Sequence, residues 1–162
     1  MVNLIIPISF TISFISFGLI AKWYLYPTLI KLNRNNAFRP ILFFHSFRYI
    51  GLVFLIPGVT AEVLDPRFSI PAAYGDLLVS LLALISIIAL KQSWQFAIGL
   101  VWIFNTIGTF DLLNAVFQGL NYVPANSFGA ALFIPIVAVP ALLVSHYIVF
   151  VLLLKKDKHN NS

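Results

Sequence analysis

Two ionisable side chains, His45 and Arg48, interrupt the apolar run FFHSFRYIGLVFLIPG at residues 43–58. Their spacing of three puts both on one face if the run is helical. Each ionised group in a bilayer costs about 2.5–3.5 kcal/mol on insertion scales, so such groups usually face the protein interior and pair. At 1.5 Å of rise per residue, Arg48 lies about 12 Å from either end of its predicted helix, and Asp111 about 10 Å from the end of another. We therefore expect an Arg48–Asp111 ion pair between two helices.

Three further polar residues accompany this pair. Asn114 and Gln118 follow Asp111 at spacings that extend one helix face. Asp76 lies near the predicted start of a third helix, where a carboxylate also stabilises the helix N-terminus. The set predicts a ligand or ion pocket suited to a cation, an amine or a proton; its members are Arg48, Asp76, Asp111, Asn114 and Gln118. The alternative is that these side chains only hold helices together, as buried polar contacts often do.

His45 and His146 form a second set, because the helix rise puts them at matching depths in two predicted helices. Two facing imidazoles can ligate a haem iron or relay protons. The alternative is two separate histidines, each bonded to a neighbouring carbonyl or hydroxyl. No third ligand is expected at that depth, so no metal site is predicted.

The composition indicates which elements position these residues. Of 162 residues, 60% are hydrophobic and 9% are charged, whereas soluble domains have roughly 25% charged residues. We therefore expect an all-α integral membrane bundle. Five segments approach the length of about 20 residues that spans a bilayer; they lie near 4–29, 40–58, 73–90, 94–118 and 128–154. They predict one transmembrane domain over 1–154, followed by a basic cytoplasmic tail at 155–162.

The distribution of lysine and arginine predicts the orientation. Basic residues gather in the first and third connections and in the tail, at Lys31, Arg34, Arg39, Lys91, Lys155, Lys156 and Lys158. The other two connections hold only Arg67. The positive-inside rule then predicts an outside N-terminus and a cytoplasmic C-terminus, in a plasma membrane such as the bacterial inner membrane. The same rule accounts for the net charge of +5 without nucleic acid as a partner.

Three classes of function follow from these patterns. The first is a small protein that binds or transports a small molecule, a cation or a proton. The second is a membrane enzyme or a bis-histidine haem electron carrier that uses His45 and His146. The third is an accessory subunit without chemistry of its own, in a homo-oligomer or a larger membrane complex. No phosphate-binding glycine loop is present, and the absence of cysteine excludes thiol catalysis.

Overall fold

The computed structural model describes residues 2–155, so the predicted tail after Lys155 lies outside the described residues. Within that range the chain is helical and has no strand, and five helices are long and apolar enough to cross a membrane. We name them α1 (Leu4–Leu29), α2 (Arg34–Leu55), α3 (Pro66–Lys91), α4 (Ala97–Tyr122) and α5 (Gly129–Leu154). The predicted all-α class with five membrane-length helices is confirmed.

The predicted limits are close for α1 and α5 and wrong for the starts of α2 and α3. Helix α2 begins at Arg34 instead of residue 40, because the Asn33 side chain accepts a hydrogen bond of 2.9 Å from the Asn36 amide and caps the helix. Helix α3 begins at Pro66 instead of residue 73, because Asp65 caps it and proline is well suited to a first helical turn. Helix α4 covers 97–122 instead of 94–118.

Helices α2 to α5 form a ring in which each helix packs against two neighbours, in the order α2, α3, α4, α5 and back to α2. Helix α1 lies outside this ring and packs mainly on α5. In the most apolar 18-residue stretch of α1, only 6% of the residues are buried. The corresponding share in the other four helices runs from 28% to 56%. The ring therefore builds the core, and α1 covers one side of it.

The helix α2 changes its winding where its charged residue lies. It is α-helical over Arg34–Ser46 and continues as a 3-10 helix over Phe47–Leu55. A 3-10 helix has three residues per turn, so residues three apart lie on one line. The buried residues of this stretch are Arg48, Gly51 and Phe54, which follow that spacing. The tighter winding thus directs Arg48 and Gly51 to the same side of α2, toward the core.

Two apolar clusters fill the core on either side of a polar layer. One lies toward the basic end, where the connections carry Lys31 and Lys91, and it includes Phe38, Leu42 and Val101. The other lies toward the opposite end and is built around Phe54, Phe68 and Phe128, whose rings pack edge to face. The buried charged and imidazole side chains lie between these clusters.

Candidate functional site

Arg48 lies at the centre of the polar layer, with 1% of its side chain exposed. Its Nε donates to Asp76 Oδ1 at 2.7 Å, and its Nη2 donates to Asp111 Oδ2 at 2.5 Å. The predicted Arg48–Asp111 ion pair is therefore present, and a second carboxylate joins it. Charge-assisted bonds of this kind are short and strong. One guanidinium thus links α2 to both α3 and α4.

The position of Asp76 corrects one expectation. The sequence suggests that Asp76 stabilises a helix N-terminus, but α3 begins at Pro66 and Asp76 lies well past its first turn. Asp65 caps α3 instead, accepting a hydrogen bond of 2.8 Å from the Arg67 amide. With 14% of its side chain exposed, Asp76 belongs to the Arg48 network.

The third nitrogen of Arg48 ties the ion pairs to α5. Nη1 donates to the Gly108 carbonyl and contacts His146 Nε2, both at 3.3 Å. Asn105 Nδ2 donates to the His146 carbonyl at 3.2 Å, so Asn105 Oδ1 accepts from His146 Nδ1 at 2.7 Å. The proton of His146 is therefore on Nδ1, and its Nε2 lone pair accepts from Arg48. Neutral His146 and Asn105 thereby orient the guanidinium.

His45 packs on His146, as the matching depths predict, with ring centroids 4.2 Å apart. Ser145 Oγ donates to the Leu142 carbonyl at 2.8 Å, so it accepts from His45 Nε2, also at 2.8 Å. His45 Nδ1 is buried without a hydrogen-bond partner, so a proton on it would add a buried charge that no acceptor compensates. His45 is thus a second neutral imidazole, and its ring packs on that of His146.

This arrangement of the two histidines does not fit a bis-histidine haem. Rings 4.2 Å apart leave no space for a porphyrin between them. Three of the four imidazole nitrogens are engaged by Ser145, Asn105 and Arg48. No cluster of three His, Cys, Asp or Glu side chains able to hold a metal ion occurs within residues 2–155.

Three glycines allow side chains of the network to approach their helices; the sequence suggested close helix approach only at Gly108. A Cβ at Gly51 would collide with the Asp76 carboxylate, and a Cβ at Gly75 would collide with that of Asp111. A Cβ at Gly108 would lie 2.7 Å from His146 Nε2. Each glycine therefore provides space for one member of the network. The sequence signal was a glycine on the same helix as each buried ionisable residue.

Asn114 and Gln118 do not join Arg48. Gln118 Nε2 donates to Asn114 Oδ1 at 3.5 Å at an exposed position further along α4. The face of α4 that begins with Asp111 continues on the inner side through the half-buried Ala115, whereas Asn114 is exposed. The sequence-predicted pocket is thus divided: Arg48, Asp76 and Asp111 lie together, and the two amides lie apart. Asn105 and Ser145, which sequence reasoning missed, join the network instead.

A cavity of about 510 Å³ adjoins the network on the side away from the basic end. Pockets of about 300–1,000 Å³ are typical of small-molecule sites. Its wall is almost entirely apolar and comes from all five helices and the connection after α4; it includes Phe10, Phe54, Phe68, Ala115, Phe128 and Val139. Asp76 is the one ionisable residue among those that line it.

The family comparison gives a match over almost the whole described bundle. Residues 5–154 match the model of a family described as a domain of unknown function, DUF8737. The chain belongs to this family. The match begins in α1 and ends with the last residue of α5, so the family unit contains all five helices and the Arg48 network. Comparisons with curated proteins and with solved structures found no match.

Proposed function

We propose that this chain is an integral membrane protein that binds a small, largely apolar molecule in the cavity beside Asp76. The five helices have the length and hydropathy of membrane spans. In this proposal the N-terminus lies outside and the basic end faces the cytoplasm, as the distribution of lysine and arginine predicts. The cavity then opens in the outer half of the membrane.

One observation carries the proposal: Asp76 belongs both to the ion-pair network and to the cavity wall. Most ligand sites combine an apolar wall with a few fixed polar groups that orient the ligand. Arg48 holds one oxygen of Asp76 at 2.7 Å, which fixes the carboxylate in place. A rigid anchor in an apolar cavity supports binding more than a purely structural role, because helix association alone does not require a cavity.

The test is ligand-dependent thermal unfolding of the purified protein in lipid nanodiscs, with dodecanol as the probe. A ligand that binds only the folded state raises the unfolding temperature. Ala115 lines the cavity, so the ring in Ala115→Phe should obstruct it and abolish the rise. Leu113→Phe is the matched control on the same helix, at a position 51% exposed and outside the cavity wall. An equal rise in both variants would contradict the proposal, because the effect would then come from the bilayer.

A further inference from the structure

The buried network contains more negative than positive groups. Arg48 is the cation that faces Asp76 and Asp111. The two imidazoles nearby are neutral: His146 because its Nε2 accepts from Arg48, and His45 because a proton on its buried Nδ1 would have no acceptor. Among the residues that line the cavity, α1 and the connection after α4 add no charged group. With both carboxylates ionised, the site therefore carries a formal charge of −1.

An uncompensated charge inside an apolar bundle is strongly unfavourable. A proton on one carboxylate, or a cation beside it, removes the excess. Arg34 donates to the Leu153 carbonyl at the basic end, and Lys22, Lys31 and Lys91 are exposed. The compensating charge must therefore come from outside the network, and the cavity is the space that reaches Asp76.

We propose that the cavity takes an amphiphile with a single protonated amine, whose ammonium group bonds to Asp76 and displaces a proton shared by the Asp76–Asp111 pair. This inference rests on the proposed function and names the class of ligand. The hydrocarbon part contacts the apolar wall around Phe68 and Val116, and the ammonium occupies the charged end. A neutral ligand of equal size leaves the proton in place.

The exchange balances in charge and in protons. Before binding, one carboxyl group of the pair carries a proton and the network is neutral. When the ammonium arrives, the carboxyl O–H bond breaks, the proton passes to water, and an N–H donates to the new carboxylate. The network with its ligand is again neutral. Because binding releases one proton, the affinity for the ammonium ligand falls as the pH decreases. The fall is about tenfold for each pH unit below the pH at which the pair is protonated in the free protein.

The test compares dodecylammonium with dodecanol on the intact protein in nanodiscs. Calorimetric titrations in two buffers with different heats of ionisation give the affinity and the number of protons released. We expect about one proton released per dodecylammonium and none per dodecanol. Asp76→Asn should weaken dodecylammonium by about 10- to 100-fold, the loss expected for one charge-assisted bond. It should weaken dodecanol much less, because the asparagine oxygen still accepts a hydrogen bond from a hydroxyl, and the remaining dodecanol binding shows that the variant is folded. Asp65→Asn, outside the network, is the control that should change neither ligand.

Each of the other possible results of these titrations would overturn a specific part of the proposal. Binding of dodecylammonium without proton release would overturn the exchange. Equal affinities for the amine and the alcohol, both abolished by Ala115→Phe, would overturn the cationic ligand class but leave binding in the cavity intact. Failure of both probes to bind would overturn the proposed function as well.

Discussion

Removal of the Arg48 guanidinium should be among the most destabilising single changes in the bundle. Its side chain is 1% exposed, and its two carboxylate partners are 14% and 12% exposed. Removing one partner of a buried ion pair typically costs about 3–5 kcal/mol, because the other partner stays buried without compensation. Arg48→Ala leaves one uncompensated carboxylate and deprives both Asp76 and Asp111 of their hydrogen-bond donor, so we expect a loss at the upper end of that range. Asp111→Asn should cost less, about 1–3 kcal/mol, because Asp76 still pairs with Arg48.

The double variant separates an ion pair from two independent effects. Once Arg48 is absent, replacing Asp111 removes an uncompensated charge, so Arg48→Ala with Asp111→Asn should cost about 0.5–3 kcal/mol less than the sum of the single changes. The assay is equilibrium unfolding in mixed micelles, followed by circular dichroism. The exposed pair Asp65–Arg67 provides a matched control cycle, for which we expect a much smaller coupling. Additive effects in the Arg48–Asp111 cycle would refute the network.

Three further predictions concern the surroundings of the network. Gly108→Ala should lower the free energy of unfolding by about 1–3 kcal/mol, because the new methyl group collides with the His146 ring. The control is Gly99→Ala on the same helix, where the methyl group meets nothing within 4 Å; it should be neutral or slightly stabilising in the same assay. Asn105→Leu leaves His146 Nδ1 without its acceptor and should cost about 1–3 kcal/mol; an unchanged unfolding midpoint would contradict the assigned tautomer. Hydrogen bonds from Arg67 lower the pKa of Asp65 from 3.8 to about 2. The ionised Asp65 therefore stabilises the folded state fully above pH 3.8, and this stabilisation is lost as the pH falls through 2. In Asp65→Asn the unfolding midpoint should lack this part of the acid dependence between pH 3.8 and pH 2.

The sequence was most informative where hydropathy and depth decide the structure. Long apolar runs located α1 and α5 closely, because both helices have the length that crosses a bilayer and are apolar throughout. The starts of α2 and α3 were missed because helices continue into polar segments when a cap such as Asn33 or Asp65 satisfies their first amides. Hydropathy reports where a helix is apolar, and it does not report where the backbone stops being helical.

The network was predictable in part for the same reason. The matching depths of His45 and His146 predicted that the two rings meet, and the cost of burying a charge predicted the Arg48–Asp111 ion pair. The change to 3-10 winding at Phe47 has no evident sequence signal, and it decides which side chains of α2 face the core. Asp76 was predicted either in the pocket or at a helix N-terminus; it pairs with Arg48, and the second alternative arose because the start of α3 was placed too late. The amides Asn114 and Gln118 were included from helical spacing alone, which does not say where a neighbouring helix stops covering a face.

The central claim is that the cavity beside Asp76 holds a ligand in the membrane. Native mass spectrometry of the protein extracted from its own membrane in mild detergent tests this most directly. We predict a discrete small-molecule adduct on the wild-type chain and on Leu113→Phe, and its loss in Ala115→Phe. Identical spectra for the wild-type chain and Ala115→Phe, whether both bare or both with the same adduct, would contradict the account.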